Sequence, residues 1–203
     1  MAIIGGLEII PEDSVLCIEE KNGNVKSIFA LYVASERARE GKTVTYLTLQ
    51  SRDTVLKTMA RLKMQPSDHI RIVELPSDRA RQDVLTRVRE PGCQLLIIDP
   101  FSVIFAEESF LDLSIMLAGL LSASRNGTMF LLLIDQGVMN QRQENLVRAM
   151  CDGVMQFVVI PEGDRLKYYI SIPKMRGSFP QEKMLPFTIN NEGLLIDTRE
   201  RHG

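Results

Sequence analysis

The residues Val15-Leu16-Cys17-Ile18 are followed by Glu19-Glu20-Lys21-Asn22-Gly23-Asn24-Val25-Lys26-Ser27, and an amphipathic stretch begins directly afterwards. An apolar strand, a loop and a helix opening on Lys-Ser match the outline of a phosphate-binding loop, G-x-x-x-x-G-K-[ST]. In that loop backbone N–H groups cradle phosphates, the lysine reaches the outer phosphates and the hydroxyl holds magnesium. The two glycines are absent here: Glu20 stands at the first and Val25 at the second. A carboxylate near phosphate opposes binding, and a β-branched residue resists the positive φ that glycine accepts. Asn22, Gly23 and Asn24 tolerate left-handed backbone, so a re-formed anion nest ending in Val25, Lys26 and Ser27 is one reading. The other is an ordinary strand-to-helix turn, with Lys26 solvated and Ser27 capping the helix.

Outward from this stretch, apolar runs at Val15 to Ile18, Val44 to Leu49, Ile70 to Leu75, Leu95 to Ile98 and Met129 to Ile134 predict buried strands. Helices are predicted between them, from Lys26 to about Glu40 before Gly41, from Arg52 to Lys63 before Pro66, and from Arg79 to Arg89 before Pro91-Gly92. A fourth runs from Phe110 to Ser124. It is apolar nearly all round, so its second side should meet another part of the chain or another subunit. Alternating strands and helices predict a parallel sheet covered on both faces. From Asp152 onward, short strands at Val154 to Ile160, Lys167 to Ile172, Leu185 to Ile189 and Leu194 to Ile196 predict antiparallel hairpins turning at Gly163-Asp164 and Asn190 to Gly193.

With 203 residues, 45% hydrophobic and 25% charged, the chain is expected to form one domain, residues 1–203, around one substantial core. A net charge of −2 gives no general attraction to DNA or to membranes. Arg79, Arg81, Arg87 and Arg89 read as the solvated face of a helix. Cys17, Cys93 and Cys151 lack the paired spacing of a metal site and read as buried thiols in a reducing compartment. With no basic-apolar leader at the start and no run of about 18 apolar residues, a cytoplasmic location is expected. His69 and His202 have no partners in the sequence that would make either catalytic.

Three ordered motifs in the C-terminal part then carry a resemblance. Cys151-Asp152-Gly153-Val154, Lys174-Met175-Arg176-Gly177, and Pro186-Phe187-Thr188-Ile189 with Asn191-Glu192-Gly193 resemble the A-D-G-V/I, K-M/L-R-G and P-F-x-I-x-x-E-G motifs of the KaiC-like branch of the RecA-superfamily ATPases. The resemblance spans most of the chain, from Ile10-Pro11 to Ile196. It implies an α/β RecA-like P-loop NTPase fold: a mostly parallel central sheet flanked by helices, with C-terminal antiparallel strands.

The resemblance also implies roles. Leu95-Leu96-Ile97-Ile98-Asp99 is similar to the Walker B strand, so Asp99 with Ser27 would hold magnesium; without the resemblance, Asp99 before Pro100 reads equally as a turn residue. Asp135-Gln136 falls loosely where the family places a polar sensor. Where the family has a glutamate base after the next strand, this chain has Gln50. An amide cannot take the proton from water, and losing a general base costs about 10²–10⁴-fold in rate. Lys174 and Arg176 would act in trans on a neighbour's nucleotide; by alternation alone they read as solvent-facing or paired with Glu182 and Glu192. The expectation is a degenerate, inactivated member with no catalytic residues and no required cofactor, in which any ATP and magnesium bind with weakened affinity. Its role would be regulatory or scaffolding, as in signal transduction, through a homo-oligomer or a partner protein. A nucleotide-binding switch with little hydrolysis is the alternative. A recombinase-related DNA-binding paralogue is disfavoured by the charge.

Overall fold

The computed structural model describes residues 2–4, 7–21, 23–65, 67–90, 92–177, 183–190 and 193–196, with backbone alone at 2–4, 7–10, 190 and 193–194. Asn22, Pro66, Pro91, Glu182, Asn191, Glu192 and His202, used in the sequence reading, lie outside the described residues. In chain order the elements are β1 (Ala2–Ile4), β2 (Leu7–Ile10), β3 (Val15–Glu20), α1 (Val25–Arg39), β4 (Val44–Thr48), α2 (Arg52–Arg61), β5 (Ile70–Glu74) and α3 (Ala80–Arg87). They continue through β6 (Leu95–Asp99), α4 (Phe101–Ile104), α5 (Phe110–Ser124), β7 (Met129–Asp135) and α6 (Gln141–Met150) to β8 (Gly153–Glu162), β9 (Arg165–Met175), β10 (Leu185–Asn190) and β11 (Gly193–Ile196).

Nine strands form one sheet in the order β11-β10-β9-β8-β3-β7-β6-β4-β5. From β5 to β8 all pairings are parallel, and from β8 to β11 all are antiparallel. The parallel strands carry helical crossovers, as parallel geometry requires. The C-terminal strands follow one another as hairpins. A mostly parallel sheet with an antiparallel C-terminal extension is therefore the architecture, as the element order predicted.

Strand alternation sorts the side chains onto two faces. Leu16 and Ile18 of β3, Val44 and Tyr46 of β4, Leu95 and Ile97 of β6, and Leu131 and Leu133 of β7 pack beneath Phe29 and Val33 of α1. The intervening residues, among them Val15, Cys17, Leu96, Ile98, Phe130 and Leu132, pack against α3, α5 and α6. Burying each large apolar side chain contributes about 1.5–3 kcal/mol, so the two cores hold the three layers together. The alternation continues into the polar ends of the strands. Glu20, Asp99 and Asp135 fall on the α1 face, whereas Glu19 falls on the α6 face.

Several elements differ from the sequence expectation. The strands β3, β6 and β7 run on through Glu20, Asp99 and Asp135 instead of stopping at the last apolar residue, because those carboxylates find partners inside the fold. Helix α6 was not anticipated: it is short and mostly polar, and its apolar residues, Leu146, Val147, Ala149 and Met150, all lie in its second half. Its start is nevertheless marked by a capping box in which Asn140 and Gln143 satisfy each other's backbone N–H groups. The β1-β2 pair was also missed, although Gly5-Gly6 between two short apolar runs is a hairpin signal.

The C-terminal motifs close on the start of β3. Asp152 accepts the Val15 N–H at one carboxylate oxygen (2.9 Å) and the Arg176 guanidinium at the other (3.1 Å). Gly153 sits beside them without room for a side chain: a Cβ would lie 2.6 Å from Leu16 Cδ2 and 2.8 Å from Met175 Sδ. Gly153→Ala is expected to destabilise the fold by about 1–2 kcal/mol through overpacking, read as a lower urea midpoint. An unchanged midpoint would show that Leu16 and Met175 give way freely.

Candidate functional site

The C-terminal ends of β3, β4, β6 and β7 converge on the first turn of α1. This helix has no acidic residue in its first turn, and its N-cap Asn24 makes no side-chain capping bond. Its exposed N–H groups and positive dipole end therefore need an acceptor from elsewhere. Glu20 supplies it: Oε2 accepts the Lys26 N–H at 3.2 Å, from a side chain only 2% exposed. The carboxylate lies against the loop backbone at Gly23, where a Cβ would be 2.2 Å from Oε1, and Gly23 has φ +151°. Glycine is required there by the carboxylate itself. The residue at the first glycine position thus fills the nest that the loop would offer to phosphate.

The remaining charges are also internally matched. Lys26 is 3% exposed, and its Nζ donates to Asp135 Oδ1 at 2.5 Å and to the Gly23 carbonyl at 3.3 Å. Asp135 is held by Ser102, whose Oγ accepts the Asp135 N–H at 2.9 Å. Asp99 is buried and accepts from the Tyr46 hydroxyl, with Ser27 joining the same cluster. Burial drives the Asp99 carboxyl above the usual range against the opposing pull of Tyr46, Ser27 and Lys26. Burial likewise pushes the Tyr46 hydroxyl well above its ordinary value, with the Asp99 charge adding to the shift. Val25 opens α1 with a buried side chain, and Asn24 is exposed at its N-cap. Asn22 lies outside the described residues. Gln50 is exposed just past β4, its N–H bonded to Thr48 Oγ1 at 3.1 Å.

Lys174 and Arg176 are engaged within the chain. Lys174 Nζ donates to the carbonyls of Arg148 (3.2 Å) and Ala149 (2.7 Å) at the end of α6, and Arg176 bridges Asp152 and Asp13. These contacts satisfy helix-end carbonyls and surface carboxylates.

On the opposite face a second cluster went unnoticed in the sequence. Glu19 is fully buried and receives two bonds from Arg148 Nε (2.9 and 3.0 Å), one from Nη2 (2.6 Å), and one each from Gln136 and Gln156 (3.0 Å each). Glu144 completes the network, accepting from Arg148 Nη2 at 2.9 Å and from the Gly137 N–H at 2.6 Å. Burial works to raise the Glu19 carboxyl, yet the hydrogen bonds from Arg148, Gln156 and Gln136 outweigh it and hold the group below its ordinary value. Every carboxylate oxygen of Glu19 and Glu144 has a donor, which makes the network a lock between β3, the turn after β7, β8 and α6.

A nucleotide with magnesium does not fit this arrangement. The Glu20 carboxylate occupies the N-terminus of α1, Lys26 is paired with Asp135, and Asp99, which with Ser27 would hold the metal, accepts from Tyr46. Tyr46 was quoted in the sequence only as part of a strand; its parity with Asp99 across the β4-β6 pairing is the signal that could have exposed it. Among the described residues, no group of three or more His, Cys, Asp or Glu is placed to hold a metal ion.

The fold is shared with solved P-loop proteins. The flagellar accessory protein FlaH from Methanocaldococcus jannaschii superposes with a TM-score of 0.79 at 17% identity, over 96% of this chain and 93% of that one. A KaiC-like protein from the hyperthermophilic archaeon Pyrococcus horikoshii OT3 superposes with a TM-score of 0.73 at 21% identity, over 92% and 90%. The architecture is accordingly that of the RecA-like P-loop ATPases, of the type seen in KaiC-like proteins and FlaH. By sequence, the chain belongs to a family of unknown function (DUF7125), whose model matches residues 30–202. No curated protein matches it in sequence.

Removing Arg148 would leave Glu19 buried without its countercharge. Arg148→Met is expected to cost about 3–5 kcal/mol in urea unfolding, and a loss below about 1 kcal/mol would refute the lock. Because the folded Glu19 carboxyl titrates below the unfolded one, its stabilisation is full above the ordinary value of 4.5 and is lost as pH falls through the folded pKa. Glu19→Gln should therefore flatten the acid limb of the stability profile.

Proposed function

We propose that this protein is a catalytically inactivated KaiC-like homologue that works as a regulatory or scaffolding subunit, with a P-loop scaffold stabilised by its own side chains in place of nucleotide. The observation that carries this reading is the Glu20 carboxylate seated at the N-terminus of α1, bonded to the Lys26 N–H and pressed against Gly23. A helix N-terminus at the end of a parallel strand is a ready anion site. Here a carboxylate of the chain itself occupies it, and a free ligand would have to displace that tethered group.

Three further features support inactivity. Gln50 offers no basic oxygen to activate water, Lys26 is neutralised by Asp135, and Tyr46 closes the Asp99-Ser27 pair. A subunit in this state keeps one conformation whatever the nucleotide supply. Its effect would come from the partner it holds, whether another copy or a different protein, as in the signalling role expected from the sequence. Near-neutral charge argues against nucleic acid as that partner. Among the described residues no helix is long and apolar enough to cross a membrane.

Calorimetric titration of Mg-ATP and Mg-ADP tests the reading. The wild type is expected to show no saturable binding up to about 1 mM, where binding is worth only about 4 kcal/mol. Glu20→Gly should bring binding into the measurable range, and adding Lys26→Ala should remove it again. Tight wild-type binding without turnover would instead support a nucleotide-read switch, and tight binding with turnover would overturn inactivation altogether.

A further inference from the structure

Helix α5 is apolar on both sides, yet the fold covers only one. Leu113, Leu117 and Leu120 are buried under the sheet, while Leu111 is 66% and Ile115 61% exposed on the outer side. The same outer stripe continues through Ala118, Gly119 and Ser122, which are exposed and small. A Cβ built on Gly119 meets nothing within 4 Å, so the helix is bare there. Beside the stripe runs an open groove of about 680 Å³ between α3 and α5, floored by Leu85, Val88, Phe105 and Leu120. Two large aliphatic side chains next to a bare, grooved helix are not needed for the monomer's core, since both cores close without them.

We propose that a second copy of this chain covers this face, with the two α5 helices antiparallel about a two-fold axis. The stripe is bulky at its N-terminal half and small at its C-terminal half. Antiparallel pairing therefore places Leu111 and Ile115 of each copy over Ser122 and Gly119 of the other, as an isologous interface requires. Helix backbones approach closely where small residues face large ones, in the manner of ridges entering grooves.

Charge follows the same symmetry. The groove is acidic where α5 begins, at Asp112, while Glu108 there is already paired with Arg81. It is basic at Arg89 on the α3 side, and the exposed C-cap Arg125 adds positive charge where α5 ends. A two-fold axis across the middle of the helix sets each acidic end against the partner's basic end, and it also opposes the two helix dipoles. A parallel arrangement would instead put like charges and like bulk together. This contact uses none of the residues around α1, so it holds whether or not nucleotide binds.

Sedimentation equilibrium of the full chain tests it. A monomer-dimer equilibrium is expected, unchanged by nucleotide. Ile115→Asp should weaken dimerisation by at least about 30-fold, the loss typical of a central interface residue. Gly119→Gln should weaken it similarly while leaving the urea stability of the monomer undiminished, because the added side chain enters empty space and glycine is a poor helix former. Asp112→Arg and Arg89→Asp should each weaken the dimer, and the two together in one chain should restore it. A wild type that stays monomeric at every concentration, a self-association insensitive to Ile115→Asp and Gly119→Gln, or a charge exchange that fails to restore the dimer would each overturn the proposal.

Discussion

A helix that begins inside a protein must have an acceptor at its first turn, and in this chain the Glu20 carboxylate meets that demand for α1. Much of the surrounding geometry follows. Gly23 is needed because the carboxylate lies against its Cα, and Val25 can open the helix because no phosphate requires the backbone to approach there. Lys26 pairs with Asp135. The loop between β3 and α1 is thus held by contacts within the chain.

The same logic governs both ends of the adjacent pair Glu19-Glu20. Strand alternation sends them to opposite faces, and each arrives in a setting that would be costly without partners. Glu20 meets backbone N–H at a helix end. Glu19 meets Arg148 of α6, Gln136 in the turn after β7 and Gln156 of β8. Buried charge at the carboxyl edge of this sheet thus serves as tertiary cross-linking. The C-terminal motifs show a similar conversion: Asp152, Gly153, Lys174 and Arg176 tie β9 and α6 to the start of β3. Such intrachain engagement ties the C-terminal strands firmly to the central sheet.

How legible was this in the sequence? The sheet and its major helices were, since apolar runs of strand length alternate with helical stretches, and α5 was read with the bounds it has. Helix α6 was not, because it is short and mostly polar, with its apolar residues confined to its second half, and its capping box is a local signal. Lys26, Ser27 and Asp99 were singled out as a group, and the fold does bring them together around the start of α1. Tyr46 and Arg148 were passed over, since neither belongs to a motif and each meets its buried carboxylate across about 50 or more positions of sequence.

By itself the sequence determined the order and type of the elements, the loss of the loop glycines and the absence of a carboxylate at position 50, because these depend on local pattern and residue identity. Only the tertiary structure decided what replaced the lost ligand contacts. Whether Glu20 points away from the loop or into it, whether Lys26 is solvated or paired, and which side of α5 stays bare all depend on groups distant in sequence. Burial and charge pairing are properties of the packed chain, and they become definite only when the strands have set those groups side by side.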